Sequence, residues 1–179
     1  MSDGYKQALS SKSKTQLFGD FVRDYRRSAV RLAWRLLGPH RAAAEDVAQH
    51  AFAKAWRHID RYRGEAQLKT WFHRILVNQV RSHLRWISVR ERARFFIAKP
   101  KIAHPVEQDH AMGDRIEAAL KELTQSQREV FTLVYLEGMT IPEAAATLRK
   151  APGTLKSHLF RAVKKLRAEL ADLEKELST

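Results

Sequence analysis

Glu137-Gly138-Met139-Thr140-Ile141-Pro142-Glu143-Ala144-Ala145-Ala146-Thr147-Leu148, followed after Arg149-Lys150 by Ala151-Pro152-Gly153-Thr154-Leu155-Lys156-Ser157-His158-Leu159-Phe160-Arg161, reads as two short helices joined by a tight turn. Thr140 is a natural N-cap, and Glu143 three residues later completes a capping box. Pro142 falls in the first turn, where a missing N–H is tolerated. Arg149-Lys150-Ala151 forms the turn, and Pro152 suits the opening of the next helix. In that helix Leu155, Leu159, Ala162, Val163 and Leu166 make one apolar stripe, leaving Lys156, Ser157, Phe160, Arg161, Lys164 and Lys165 pointing elsewhere. This is the layout of a helix-turn-helix, whose second helix enters the DNA major groove. The plainer reading is a helical hairpin with a solvated basic face.

Charge points the same way. The 179 residues carry 33 Lys/Arg and 20 Asp/Glu, a net of +13 that favours a polyanionic partner. The excess sits upstream: residues 1–114 hold 22 basic against 11 acidic side chains, residues 115–179 hold 11 against 9. A hydrophobic share of 44% suffices for packed cores. The absence of cysteine excludes disulfides and thiolate metal sites. No apolar run approaches the ~20 residues of a membrane span, and the N-terminus has no apolar signal core, so a cytoplasmic protein is expected.

Residues 1–14 read as a mobile tail. From Thr15, Leu17, Phe21, Tyr25, Leu32 and Leu36 keep a helical period until Gly38-Pro39. A second helix is expected from about Ala42 to Ile59, burying Val47, Ala51, Phe52 and Ala55. A third is expected from about Gln67 to Trp86, presenting Leu68, Trp71, Phe72, Ile75, Val80 and Leu84. Residues 89–113 lose periodicity, contain Pro100 and Pro105, and read as a flexible linker with a frayed helix at Val89–Ile97. Helical patterning resumes at Asp114, and Thr124 with Gln127 forms a second capping box. No β-alternation appears. The expectation is all-α: two small helical domains, 15–88 and 114–179, on a flexible tether.

Two motifs in this order resemble one family. Ala44-Glu45-Asp46-Val47-Ala48-Gln49-His50-Ala51-Phe52-Ala53-Lys54-Ala55-Trp56 and Tyr62-Arg63-Gly64-Glu65-Ala66-Gln67-Leu68-Lys69-Thr70-Trp71-Phe72-His73-Arg74-Ile75 are similar to region 2 of extracytoplasmic-function (ECF, group IV) sigma factors of the sigma-70 family. Leu123-Thr124-Gln125-Ser126-Gln127-Arg128-Glu129-Val130-Phe131 with the opening motif resembles region 4. The likeness spans about Phe18 to Leu170. It implies a region 2 bundle of three to four helices, which binds core RNA polymerase and reads and melts the −10 element. It also implies a region 4 helix-turn-helix that reads the −35 duplex, and an anti-sigma factor as a further partner.

Carried over residue by residue, the resemblance assigns Thr154, Lys156, Ser157, Phe160, Arg161 and Lys164 to the −35 element. Lys and Arg suit guanine edges or phosphates, and an apolar ring suits a thymine methyl. Strand opening falls to Arg61, Tyr62, Arg63 and Gly64, with Arg74, Asn78, Arg81 and Arg85 following the strand, since melting needs captured bases and cations along a single-stranded backbone. Glu45, Asp46, Gln49 and Phe52 are assigned to core polymerase. Glu45 and Asp46 also suit the positive end of a helix dipole. No catalytic residue, metal or cofactor is expected.

This chain departs from the family at His50, where an acid is common, at Arg149, where the turn usually has glycine, and at Ala151, where Ser often caps. Two other classes compete. A conventional regulator of the response-regulator type would carry an αβ receiver upstream, and residues 15–86 show no such alternation. A metal-dependent nuclease would cluster His and carboxylates at short spacing, whereas His50, His58, His73 and His83 are scattered.

Overall fold

The computed structural model describes residues 14–95 and 119–177. The expected tail, most of the linker and the helix start at Asp114 lie outside the described residues. Among the described residues the fold is helical throughout, with no strand.

Helix α1 spans Lys14–Leu37 and buries Phe18, Ala29, Leu32, Ala33, Leu36 and Leu37. Gly38 ends it with φ +58°, a left-handed value that glycine adopts without strain. A Cβ at Gly38 would also collide with the guanidinium of Arg128. A 3₁₀ segment, Gly38–Ala43, turns the chain into α2, Ala44–Arg57. The second helix therefore begins and ends two residues inside the expected bounds, because His40 breaks helical geometry before it and His58 after it. Glu45 and Asp46 occupy the first turn of α2, with Lys54 and Arg57 in the last, each the sign the dipole favours.

Helix α3 runs Leu68–Phe95, well past the expected stop at Trp86. Ser88-Val89-Arg90-Glu91-Arg92-Ala93 contains no Gly or Pro, so nothing local breaks the helix. An exposed extension needs no apolar stripe, and Trp86 and Val89 are indeed exposed. The segment expected to fray is thus continuous helix as far as Phe95.

In the second half, residues 119–121 are helical. Thr124 then caps α4, Gln125–Phe131, with both bonds of the capping box formed. A π-helical turn, Thr132–Leu136, follows and closes at Gly138, φ +71°. The Met139 N–H reaches back to the Leu133 carbonyl at 2.9 Å, satisfying a helix-end acceptor. Helix α5, Ile141–Leu148, has the expected Thr140/Glu143 capping box with Pro142 in its first turn. Arg149 ends it at φ 54°, ψ 49°, the positive-φ conformation that glycine usually supplies. Helix α6 runs Pro152–Leu177.

The two halves do not stand apart. One continuous core joins Leu32, Phe72, Val77 and Val80 of the first half to Val130, Leu133, Met139, Ala145, Leu148 and Leu155 of the second. A smaller cluster, Ala119, Leu120, Leu123, Ala162 and Leu166, packs within the second half.

The Leu155 N–H bonds to the Ala151 carbonyl at 3.2 Å, which places Ala151 at the N-cap of α6. Ala151→Ser should therefore raise stability by about 1 kcal/mol. Urea unfolding measures it: the midpoint should rise, and an unchanged or lower midpoint would refute this cap.

Candidate functional site

Three surfaces carry the candidate residues read from the sequence. The first is the outer face of α6. Its buried stripe, Leu155, Ala162 and Leu166, fixes the helix against its neighbours. Thr154, Lys156, Ser157, Phe160, Arg161 and Lys164 are all left exposed. Phe160 is 71% exposed, so this ring is not packed beneath the rest of α6. An aromatic ring held in water beside three cations costs apolar hydration until a partner covers it.

The second surface is the loop between α2 and α3. A short 3₁₀ turn, Ile59–Arg61, leads into it, and Gly64 turns it at φ +72°. Arg61 and Arg63 stand exposed on its rim. Tyr62 does not: its hydroxyl donates to the Ala66 carbonyl at 2.6 Å, and its ring lies 5.4 Å from Trp71. The ring thus pins the loop from inside. Along α3, Asn78 and Arg85 are exposed, while Arg74 is half-buried with its Nε unpartnered.

The third is a groove of about 360 Å³ between α1 and α2, where Glu45, Gln49 and Phe52 meet Val22, Arg26 and Val30. Phe52 forms its floor, 9% exposed and stacked on Phe72 at 4.4 Å. Asp46 is exposed on the same first turn of α2 as Glu45.

Ionic contacts tie the halves together. Arg81 makes a two-pronged bond to Glu129, Nε–Oε1 2.8 Å and Nη2–Oε2 2.5 Å, and Glu129 is only 2% exposed. The carboxylate of Glu137 sits among Tyr25, Lys69, His73 and Arg35. Tyr25 donates to it at 3.3 Å, Lys69 approaches to 3.5 Å and Arg35 to 3.9 Å. His73 lies behind, its Nε2 2.5 Å from the Tyr25 hydroxyl and 3.6 Å from Glu137. Burial, helped by Lys69, pushes the His73 imidazole down to about 3, so it is neutral at pH 7. Burial and the Glu137 charge raise Tyr25 well above the usual phenol range.

Glu129, Glu137 and His73 were not singled out from the sequence as functional. A local signal existed for Glu129 and Glu137, which are acids in a strongly basic chain. Their partners lie 48 and 112 residues away, beyond the reach of any spacing rule.

Residues 21–87 match the sigma-70 region 2 family, and residues 113–166 match the sigma-70 region 4 family. The RNA polymerase sigma-H factor of Pseudomonas aeruginosa is 32% identical over 146 residues, covering 74% of this chain and 76% of that protein. The chain is an ECF sigma factor of the sigma-70 family. The sigma factor SigM of Mycobacterium tuberculosis, 32% identical over 162 residues, covers 90% of this chain and 79% of its own. Among solved structures, the sigma factor RpoE of Bartonella quintana in complex with the anti-sigma factor NepR superimposes with TM-score 0.71 at 28% identity. It covers 85% of this chain and 97% of that one. This sigma factor accordingly acts with core RNA polymerase and promoter DNA in transcription initiation. Both family matches support the sigma-factor reading and neither supports the regulator or nuclease alternative. No helix among the described residues is long and apolar enough to cross a membrane.

A buried neutral histidine makes stability depend on pH. Unfolded His73 takes a proton below about 6.5, whereas folded His73 resists until about 3, so the unfolded state binds more protons in that window. Stability should fall as pH drops from about 6.5 toward 3, by up to ~1.4 kcal/mol per pH unit from this group. Comparing urea unfolding of wild type and His73→Gln between pH 7 and 4.5 isolates the effect. The variant should show the shallower slope; equal slopes would contradict a neutral His73.

Proposed function

We propose that the three surfaces divide the work of promoter-specific initiation. The exposed Phe160, flanked by Lys156 and Arg161 on a helix anchored from behind, carries the −35 assignment. Its ring would cover a thymine methyl while the cations meet guanine edges and phosphates. Thr154 and Ser157 lie near the N-terminus of α6, where amide dipoles favour a phosphate.

The rim of the α2–α3 loop and the exposed edge of α3 would hold the melted −10 strand. Arg61, Arg63, Arg74, Asn78 and Arg85 supply donors, Gly64 the turn, and Tyr62 the rigidity of the loop. The α1–α2 groove would take an apolar and basic element of core polymerase, with Phe52 at its floor and Glu45, Asp46 and Gln49 at its rim. The chain contributes binding and strand separation, and the nucleotidyl chemistry belongs to the polymerase. It would act in the cytoplasm, where polymerase and promoter are found.

In the docked arrangement Arg81 is occupied by Glu129. Using Arg81 on DNA requires that this pair separate, so we read the docked form as the unloaded state, drawn apart on polymerase and promoter. The likeness to a sigma factor crystallised with an anti-sigma factor supports an inhibitor of that kind as a further partner.

Run-off transcription with core polymerase and purified chain tests the main reading. Promoter-dependent transcripts should require the chain, and their absence after any inhibitor is removed would overturn it. Within that assay Lys156→Ala should cost about 1–3 kcal/mol of promoter binding and relax base preference at one −35 position. Arg85→Ala should weaken binding evenly across sequences and lower the salt slope by about one. Swapped outcomes would reverse the assignment of these two residues.

A further inference from the structure

A cleft of about 700 Å³ opens where the two halves meet, lined by Lys54, Asn78, Arg81, Ser82, Arg85 and Arg149 among others. Lys54 comes from α2, Arg81 and Arg85 from α3, and Arg149 from the turn before α6 in the other half. No carboxylate lines it. Of the four cations, Arg81 has Glu129 as counter-ion. Arg85 donates to the Ser82 hydroxyl at 3.2 Å, and among the described residues none of Lys54, Arg85 and Arg149 forms an ion pair.

Lys54, Arg85 and Arg149 line one cleft with no carboxylate beside them, and their like charges oppose docking of the halves, screened in part because Arg85 and Arg149 are exposed. Arg149 adds a second cost. It holds φ 54°, where glycine would be free of strain, yet it places a long cationic side chain on the cleft. Two unfavourable features converge on one concavity, and both are offset if a multivalent anion lies between the halves.

We infer that this cleft is a binding site for a small phosphate-chain anion, held by Lys54 and Arg85 of one half and Arg149 of the other, which fastens the two halves together while Arg81 keeps its pair with Glu129. The chemistry fits on three counts. Guanidinium groups match phosphate oxygens in a two-pronged geometry. Asn78 and Ser82 add neutral donors for the remaining oxygens. The volume lies in the range of small-ligand pockets, so it accepts a short phosphate chain and is far too small for a DNA duplex. The site shares Asn78 and Arg85 with the −10 assignment but needs neither promoter nor polymerase. It therefore stands or falls separately from that assignment.

The test is calorimetric titration of the full chain with inorganic tripolyphosphate and, in a parallel arm, with ATP, at ionic strength fixed by potassium chloride. One saturable site is expected, with a rise of about 5 °C in unfolding midpoint at a hundredfold excess over Kd. Arg149→Gly and Lys54→Gln should each weaken binding roughly tenfold. Arg149→Gly should at the same time raise the midpoint of the unliganded protein, which separates lost binding from lost folding. Equal affinity in both arms identifies the bare phosphate chain as the ligand, and tighter ATP binding identifies a nucleoside polyphosphate. Non-saturable uptake, or saturable binding that neither substitution alters, would overturn the inference and leave only the general attraction of a +13 chain.

Discussion

Two carboxylates on the second half, Glu129 buried and Glu137 half-buried, face cations of the first, and the arrangement of the molecule depends on that pairing. A carboxylate that is 2% exposed is tolerable only when its charge is met at close range. Arg81 meets Glu129 with two parallel bonds; Lys69, Arg35 and the Tyr25 hydroxyl surround Glu137. Neither pair is an added source of large stability, because desolvation offsets much of the Coulomb attraction. They instead fix register. With Glu137 at the start of the helix-turn-helix and Glu129 on α4, the packing of Leu133, Met139 and Leu148 against the first half has one orientation. Gly38 closes the same contact, since any Cβ there would strike Arg128.

This pairing joins fold to function. The surfaces that serve DNA in this family are basic, and a basic protein folded on itself needs acids at the junction to hold like charges together. In the proposed −10 role Arg81 would serve both purposes, on Glu129 here and on DNA there. A phosphate backbone offers the same two-pronged acceptor geometry as Glu129, so the exchange of one for the other is chemically direct. Salt screens a pair this buried far less than an exposed one, so a polyanion that offers Arg81 a second two-pronged acceptor is the more direct competitor. On the proposed reading the junction would separate when a nucleic acid competes for Arg81.

What the sequence made legible follows from range. Both capping boxes, Thr124/Gln127 and Thr140/Glu143, were readable because each is complete within four residues. Arg149 stood out because it replaces the glycine usual at that turn, and its left-handed backbone shows why glycine is usual there. The exposed positions of α6 followed from helical period alone. The continuation of α3 to Phe95 was not, since hydrophobic periodicity reports burial and this stretch is exposed. The inward turn of Tyr62 escaped notice because an aromatic in a basic loop suits either base stacking or a hydroxyl anchor. The docking of the halves was hidden altogether, because it rests on contacts across a segment with no period.

The most direct test is the distance between the halves. The chain has no cysteine, so Ala42→Cys and Arg167→Cys, both at exposed positions, give a clean pair of spin labels. Pulsed electron paramagnetic resonance should find one short, narrow distance in the free protein and a longer one with core polymerase and promoter DNA. The same distance in both states would contradict the account.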